Sequence, residues 1–486
     1  MRTKACTIRF ETLGCRLNQI ESESAANFFT LCDFNVKMGG VTSTSPEDCN
    51  TLLCIVNTCA VTQKAEQKGR RIIRLLLKKY PQAVILVTGC YAQLAPSQIL
   101  SMDKRIVVLG GQLKSRISKI PLLLKDFLNE NIRDSEWKWD CGRFIEVLNN
   151  QIINQKVEKE GFAENTFQLA TTNFLSHSRA SIKIQDGCNN NCAFCTIHIA
   201  RGHSVSIDVE TALSRVIELE KAGHKEVVIT GVNLGQYKSQ YNGENYDFGR
   251  LIKAFLENTE KIRFRISSLY PETITDDFCR IISNDRICPH FHLSVQSGSD
   301  KILKLMNRNY DSRTVALACE KLRKIKKNPF IACDIITGFP GETREDFYAT
   351  MDLIKECNFA WVHAFPYSER PGTPAVKMKD KVPQSLSGQR AELISQQAVA
   401  NKIAYIDSFV QSSECLSAVL ETLKDENTEK GLYIYHAVTD NFIHCQIESK
   451  IKLEECSLVK LKLISSLPEK IIKGGEVEAN ALILNS

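Results

Sequence analysis

The chain has 486 residues, enough for two to four domains with a sizeable buried core. Hydrophobic residues make up 43% and charged residues 24%, as in a soluble globular protein, and no apolar run approaches the ~18 residues that would cross a bilayer. Sixty-two basic against 56 acidic side chains leave a net charge of +6, which permits a nucleic-acid partner without arguing for one.

Nineteen cysteines are unusual. The chain starts Met1-Arg2-Thr3-Lys4-Ala5-Cys6, without a charged-then-apolar leader, so a cytoplasmic protein with some metal-bound cysteines is expected rather than a disulfide scaffold. Most of them, such as Cys54, Cys319 and Cys333, sit among apolar neighbours and read as small core residues.

Residues 4–120 repeat one form three times: an extended run ending in a cysteine, then a helical stretch. Thr7 to Cys15 precedes a helix-like Gln19–Thr30, Leu52 to Cys59 precedes Thr62–Lys79, and Val84 to Cys90 precedes a shorter helix beyond Pro96. Alternating strands and helices imply βαβ units and a parallel sheet. Ligands gather outside the carboxyl ends of such strands, so the topology can bring Cys15, Cys59 and Cys90 together. The second helix carries Lys64, Lys68, Arg70, Arg71, Arg74, Lys78 and Lys79, either an RNA-phosphate face or a solvated one. Residues 121–173 lose periodicity and read as a linker with some local structure, in which Trp137 and Trp139 pack against neighbours.

Residues 174–404 hold six β-rich runs, each followed by a helical pattern: Ser181–Gln185, Glu226–Val232, Arg263–Leu269, His290–Gln296, Phe330–Thr337 and Trp361–Pro366. Six units suggest a partial parallel (βα) barrel whose chemistry sits at the C-terminal strand ends. Just beyond the first run comes Cys188-Asn189-Asn190-Asn191-Cys192-Ala193-Phe194-Cys195. Three thiolates favour iron–sulfur or zinc over hard cations. They can hold three corners of a [4Fe–4S] cube and leave one iron open for a chelating co-substrate; a zinc site completed by His198 or His203 is the alternative.

The run from Ile182 to Cys188, continued through Ala200-Arg201-Gly202, resembles the radical S-adenosylmethionine methylthiotransferases. Thr12-Leu13-Gly14-Cys15-Arg16-Leu17-Asn18-Gln19, Asn57-Thr58-Cys59 and Gly89-Cys90-Tyr91-Ala92-Gln93 resemble the N-terminal domain of the same family. The resemblance implies two [4Fe–4S] clusters. Cys188, Cys192 and Cys195 would hold the one that cleaves S-adenosylmethionine, and Cys15, Cys59 and Cys90 the one that takes part in sulfur delivery. It further implies a six-unit partial barrel and cofactor contacts at the strand ends: Phe194, Gly231, Asn233, Gln296, Ser297, Asp334, Gly338 and Phe365. Two S-adenosylmethionine molecules serve each turn, one giving a methyl group and one a radical. One departure is His198, where the family commonly has proline.

Residues 405–486 follow a helix of about 386–405 and show short alternating runs, Leu416–Leu423, Leu432–Val438, Phe442–Ile447 and Leu458–Leu463, which suggest a small β-barrel resembling the family's TRAM module. From Ala404 onward there are eight lysines, no arginine and thirteen acidic residues, a poor phosphate binder; stacking through Tyr433, Tyr435, His436 or Phe442 is the remaining route to RNA. The whole reads as an α/β chain in three parts. Its implied partners are a tRNA substrate, an external electron donor and a sulfur source, with no membrane, acting as a monomer. Gly14 to Glu23 looks most like the branch that converts N6-threonylcarbamoyladenosine at tRNA position 37 to its 2-methylthio derivative. The alternatives are a ribosomal-protein or isopentenyladenosine-tRNA methylthiotransferase, or a noncatalytic Fe–S RNA-binding protein.

Overall fold

The structure, a computed structural model, describes residues 3–130, 139–155, 166–171, 179–427 and 431–484. Strands β1 (Thr7–Thr12), β2 (Asn35–Met38), β3 (Thr51–Thr58), β4 (Val84–Gly89) and β5 (Ile106–Val108) make one parallel sheet in the order β2-β1-β3-β4-β5. β3 and β4 are buried along their whole length, as unbroken apolar runs at the centre of a parallel sheet require. Helices α1 (Arg16–Leu31), α2 (Gln63–Lys79) and α3 (Cys90–Leu94) leave the carboxyl ends of β1, β3 and β4. Thr62 caps α2 by accepting from the Ala65 N–H, while Lys78 and Lys79 suit the negative end of its dipole.

Most of the described part of the expected linker packs on this domain, whereas Phe167 joins the core of the central domain. Phe127, Leu128, Phe144, Leu148 and Ile152, from helices Ile120–Glu130, Cys141–Leu148 and the turn after them, join Ile8, Phe10 and Phe29 in one core. Trp139 packs against Phe127 and Phe144 at centroid distances of 5.9 and 5.4 Å and donates its indole N–H to the Gln82 carbonyl. Trp137 lies outside the described residues.

The central domain is an open arc of parallel strands. β6 (Ala180–Lys183), β9 (Glu226–Thr230) and β12 (Arg263–Ile266) form one sheet; β12 continues past Ser267 into β13 (Ser268–Leu269), which pairs onward with β14 (His290–Gln296), β15 (Phe330–Thr337) and β16 (Trp361–Pro366). Two small antiparallel pairs decorate it, β7 (Gln185–Asp186) with β8 (Val205–Ser206) and β10 (Ser239–Tyr241) with β11 (Glu244–Tyr246). Six units are present, and among the described residues β6 and β16 do not pair, so the barrel stays open on one side.

A 29-residue helix, Gln384–Ser412, leads into the C-terminal part and runs well beyond the expected 386–405. There β17 (Leu416–Asn427), β18 (Leu432–Thr439), β19 (His444–Ser449), β20 (Leu458–Ser466) and β21 (Ala479–Ile483) close into a five-stranded barrel in the order β17-β18-β19-β21-β20. β21 escapes the sequence reading because its five residues pair in parallel with β19, far from any hairpin signal. Tyr435 is fully buried in this barrel's core, and Phe442 is spent on the contact with the central domain; neither offers a face for stacking a base.

That contact is built on charge. Glu226, fully buried at the start of β9, accepts from Arg263 Nε (2.7 Å) and from Arg265 Nε and Nη2 (2.7 and 3.0 Å), with Arg179 at 3.6 Å. Burial alone would raise its carboxyl; Arg265 and Arg263 hold it far below the usual range. The same arginines reach the small barrel. Arg265 donates to the carbonyls of Thr439 (3.0 Å) and Asp440 (2.9 Å), and Arg263 to Ser417 Oγ (3.1 Å). Phe442 lies 4.2 Å from His290 and under both Arg179 and Arg265. Removing the carboxylate leaves three buried guanidinium groups without their counter-ion, although Arg263 and Arg265 keep their bonds to the small barrel. Glu226→Gln is therefore expected to cost ~3–5 kcal/mol, seen as a lowered thermal midpoint and as faster protease cleavage near residues 412–416 where the small barrel undocks.

Candidate active site

Gly187 (φ +68°) makes the turn between β7 and the cysteine loop; a Cβ there would stand 1.9 Å from the His203 carbonyl oxygen, so only glycine lets the two strands of the loop close. The Cys188 N–H then donates to the Gly202 carbonyl (3.1 Å). Each of the three sulfurs receives a donor: the Asn190 N–H reaches Cys188 Sγ (3.4 Å), Arg308 Nη1 reaches Cys192 Sγ (3.3 Å), and the Ile197 N–H reaches Cys195 Sγ (3.4 Å). The Asn233 side chain adds a hydrogen bond to Cys188. Burial pushes the Cys188 thiol up and that of Cys195 up to about 12, so these groups ionise only with help, which a metal supplies by displacing the proton. N–H groups aimed at sulfur suit bound thiolates. Among the described residues no three or more His, Cys, Asp or Glu gather tightly enough to hold one ion, and His198 Nδ1 is buried without a hydrogen-bond partner.

Arg308 escaped sequence reasoning. It follows Asn307, whose φ of +59° ends the helix after β14, and its guanidinium lies over Tyr270 (4.5 Å), Tyr310 (5.4 Å) and Phe194 (5.8 Å) while donating to the Ser294 carbonyl. No local pattern distinguishes such an arginine from a surface one.

The other expected cofactor contacts divide in two. Phe194 meets Phe339 edge-on at 6.4 Å, Asn233 reaches Cys188, and Gly231 is pinned against Gln185, whose Oε1 accepts the Asn233 N–H at 2.8 Å. Gln296 ends β14 with a φ of +71°. Asp334 lies 3.2 Å from His292 on the neighbouring strand, and Phe365 stacks over His363. Ser297, by contrast, faces Thr350 of the helix Arg344–Glu356, and Gly338 (φ +70°) stands where a Cβ would meet Ser387 at 1.8 Å. These two sit in strand-to-helix packing.

The second triad assembles from three strand ends. Cys15 caps α1, Cys59 follows β3 and Cys90 opens α3. Two glycines permit the approach: a Cβ at Gly14 (φ +99°) would lie 2.6 Å from Cys59 Cβ, and one at Gly89 (φ +96°) 2.3 Å from the Thr58 carbonyl. Burial raises the Cys59 thiol to about 11, with Cys90 and Cys15 adding to the effect. Cys15 is exposed while Cys59 and Cys90 are buried, so the triad opens on one side.

Segments next to the two triads pack together across the domain boundary. α3 packs on the short helix Ile197–Arg201 that follows Cys195, and Gln112 donates to the Ile199 carbonyl at 3.3 Å. Arg201 Nη1 bonds both Asp186 oxygens (2.9 and 3.0 Å) and Glu21 Oε1 (3.2 Å), while its Nη2 reaches Asn18 Oδ1 (2.9 Å). Lys183 bridges Glu21 (3.0 Å) and Asp186 (3.1 Å), and Lys114 pairs with Glu21. Burial would raise both carboxyls, but Arg201, Lys114 and Lys183 hold Glu21 well below the usual range, and Arg201 and Lys183 lower Asp186.

Comparison with known proteins gives consistent matches. Residues 182–354 match the Radical SAM superfamily and residues 7–111 match Uncharacterized protein family UPF0004. The chain is 44% identical over 435 residues to the threonylcarbamoyladenosine tRNA methylthiotransferase MtaB of Treponema pallidum, covering 82% of this chain and 88% of that one. The protein of the same name from Bacillus subtilis is 32% identical, with 90% and 89% covered. A tRNA-2-methylthio-N(6)-dimethylallyladenosine synthase from Endomicrobium trichonymphae is 31% identical, with 91% and 96% covered.

Gly89→Ala forces a side chain into a left-handed backbone against the Thr58 carbonyl. Strain alone is expected to cost roughly 1–3 kcal/mol and to lower any metal that Cys15, Cys59 and Cys90 would hold. Melting curves and metal analysis in a Cys188/Cys192/Cys195→Ala background check both.

Proposed function

The chain belongs to the radical S-adenosylmethionine methylthiotransferase family, and we propose that it converts N6-threonylcarbamoyladenosine at position 37 of tRNA to its 2-methylthio derivative. The observation that carries the reading is that segments bearing two cysteine triads, each in its own domain, pack together and are tied by Arg201. Replacing an unactivated C–H bond by C–S–CH3 needs a site that breaks the bond and a second site that offers sulfur. Cys188, Cys192 and Cys195 would hold the first [4Fe–4S] cluster, and Cys15, Cys59 and Cys90 the second. When bound, the first cluster with S-adenosylmethionine supplies the means to break the C–H bond, and the second supplies the sulfur.

The residues of the chain do the rest. Asn233, Arg308 and the Asn190 and Ile197 N–H groups orient the first triad's sulfurs. Phe194, Phe339 and the aromatic walls around Arg308 keep water from its apolar side. Gly231, Gln296, Asp334 and Phe365 are the strand-end positions through which we expect S-adenosylmethionine to be held. Ser297 and Gly338 would then act by shaping the turns beside it.

For the RNA, α2 is the better-suited surface. Lys64, Lys68, Arg71, Arg74 and Lys78 are exposed at helical spacing along one face. The start of α2 abuts the barrel mouth, where the Gln63 N–H donates to Ser368 Oγ (3.2 Å) and Glu66 pairs with Arg370. Phosphates along this stripe would feed a base toward the two triads. The acidic C-terminal barrel would contribute little to phosphate affinity. An electron donor and a sulfur source from outside the chain complete the scheme. No helix among the described residues is long and apolar enough to cross a membrane.

Two measurements test this. Anaerobic iron and sulfide analysis with Mössbauer spectra is expected to find about eight irons per chain, falling to about half in Cys15/Cys59/Cys90→Ala; one cluster in both proteins would remove the basis for methylthiolation. Nucleoside analysis of tRNA from a strain lacking the protein is expected to show loss of 2-methylthio-N6-threonylcarbamoyladenosine. Loss of the isopentenyladenosine derivative, or of a methylthiolated ribosomal peptide, would reassign the substrate.

A further inference from the structure

The charge cluster between the triads does not balance. Lys114, Lys183 and Arg201 bring three positive charges against the two of Glu21 and Asp186, and none of the five side chains is more than 9% exposed. Asn18 joins through its Oδ1, a neutral acceptor for both Arg201 and Lys114 (2.9 and 3.4 Å). Among these five side chains one positive charge exceeds the negative ones, a costly arrangement unless an anion lies against it. The Arg201 guanidinium is also close enough to Cys90 and Cys15 for their charges to act on it. Three thiolates on an oxidised four-iron core of charge 2+ carry one net negative charge, which is the charge the cluster lacks.

Arg201 is also placed to act as a ruler. One of its nitrogens holds Asp186, two residues before Cys188, and the other holds Asn18, three residues after Cys15. The same side chain therefore grips the approach to each triad. A lysine keeps the charge but cannot span both contacts with a rigid planar fork.

Resting on the two-cluster reading above, we propose that Arg201 is a positioning residue: it fixes the second triad relative to the first and neutralises the cluster that Cys15, Cys59 and Cys90 hold, so that sulfur there stands within reach of a substrate activated at Cys188. A cation beside a cluster favours its reduced, more negative state, so its loss shifts the potential downward.

The experiment uses full-length protein, reconstituted anaerobically, as wild type, Arg201→Lys and Arg201→Gln. Three quantities are read: the midpoint potential of the second cluster, the magnetic coupling between the two reduced clusters by EPR, and the methylthiolated nucleoside formed per S-adenosylmethionine cleaved. In Arg201→Gln the potential is expected to fall, the coupling to weaken, and the product ratio to drop at least tenfold. Arg201→Lys is expected to keep the potential near wild type yet still weaken the coupling and lower the ratio, because charge survives and the bridge does not. If Arg201→Gln fails to fold, the lysine variant carries the test alone. Either variant holding both clusters with unchanged coupling and unchanged ratio would overturn the proposal. A wild-type protein with only one cluster would instead sink the functional reading beneath it.

Discussion

The arrangement of this protein depends on charges buried where water would otherwise serve them. Glu21 from α1 and Asp186 from β7 share Lys183 and Arg201, so the N-terminal sheet and the open barrel meet at a joint of fixed geometry. Apolar surfaces alone slide over one another at little cost. A carboxylate out of water must keep its partners at hydrogen-bond distance or pay several kcal/mol. Such a joint adds little net stability and a great deal of register between the segments that carry the two cysteine triads.

A second joint repeats the device at the other end of the barrel. Glu226 gathers three arginines in the lumen, and two of these reach out to backbone carbonyls of the C-terminal barrel. The Asp440-Asn441-Phe442 turn enters beside them, and Phe442 closes over His290. The small barrel is thereby docked by the central domain's own interior charges. This accounts for Phe442 without invoking RNA. On the reading proposed above, the basic stripe on α2, at the mouth end, serves the phosphates.

The parallel sheets give both joints their purpose. Side chains placed just after a parallel strand cluster at one edge because all strands point the same way. Cys15, Cys59 and Cys90 meet for that reason, though 75 residues separate the first from the last. The glycines at 14 and 89 remove the side chains that would otherwise hold the strand ends apart. The long helix Gln384–Ser412 carries the chain away from the barrel mouth, its first turn packed on Gly338.

Local signals made much of this legible. Alternating strands and helices, six units in the central region, the spacing of Cys188, Cys192 and Cys195 and the cysteines at three strand ends are all properties of short windows, and short windows determine backbone preference and ligand spacing. Tertiary structure decided what depends on distant partners. The pairing of Glu21 with Arg201 spans 180 residues, and Arg308 finds Cys192 across 116. The segment after residue 120 looks aperiodic because its apolar residues answer to a core already half built by the first sheet. A buried ion pair leaves no periodic trace, since each member reads as an ordinary surface charge until the fold removes the water around it.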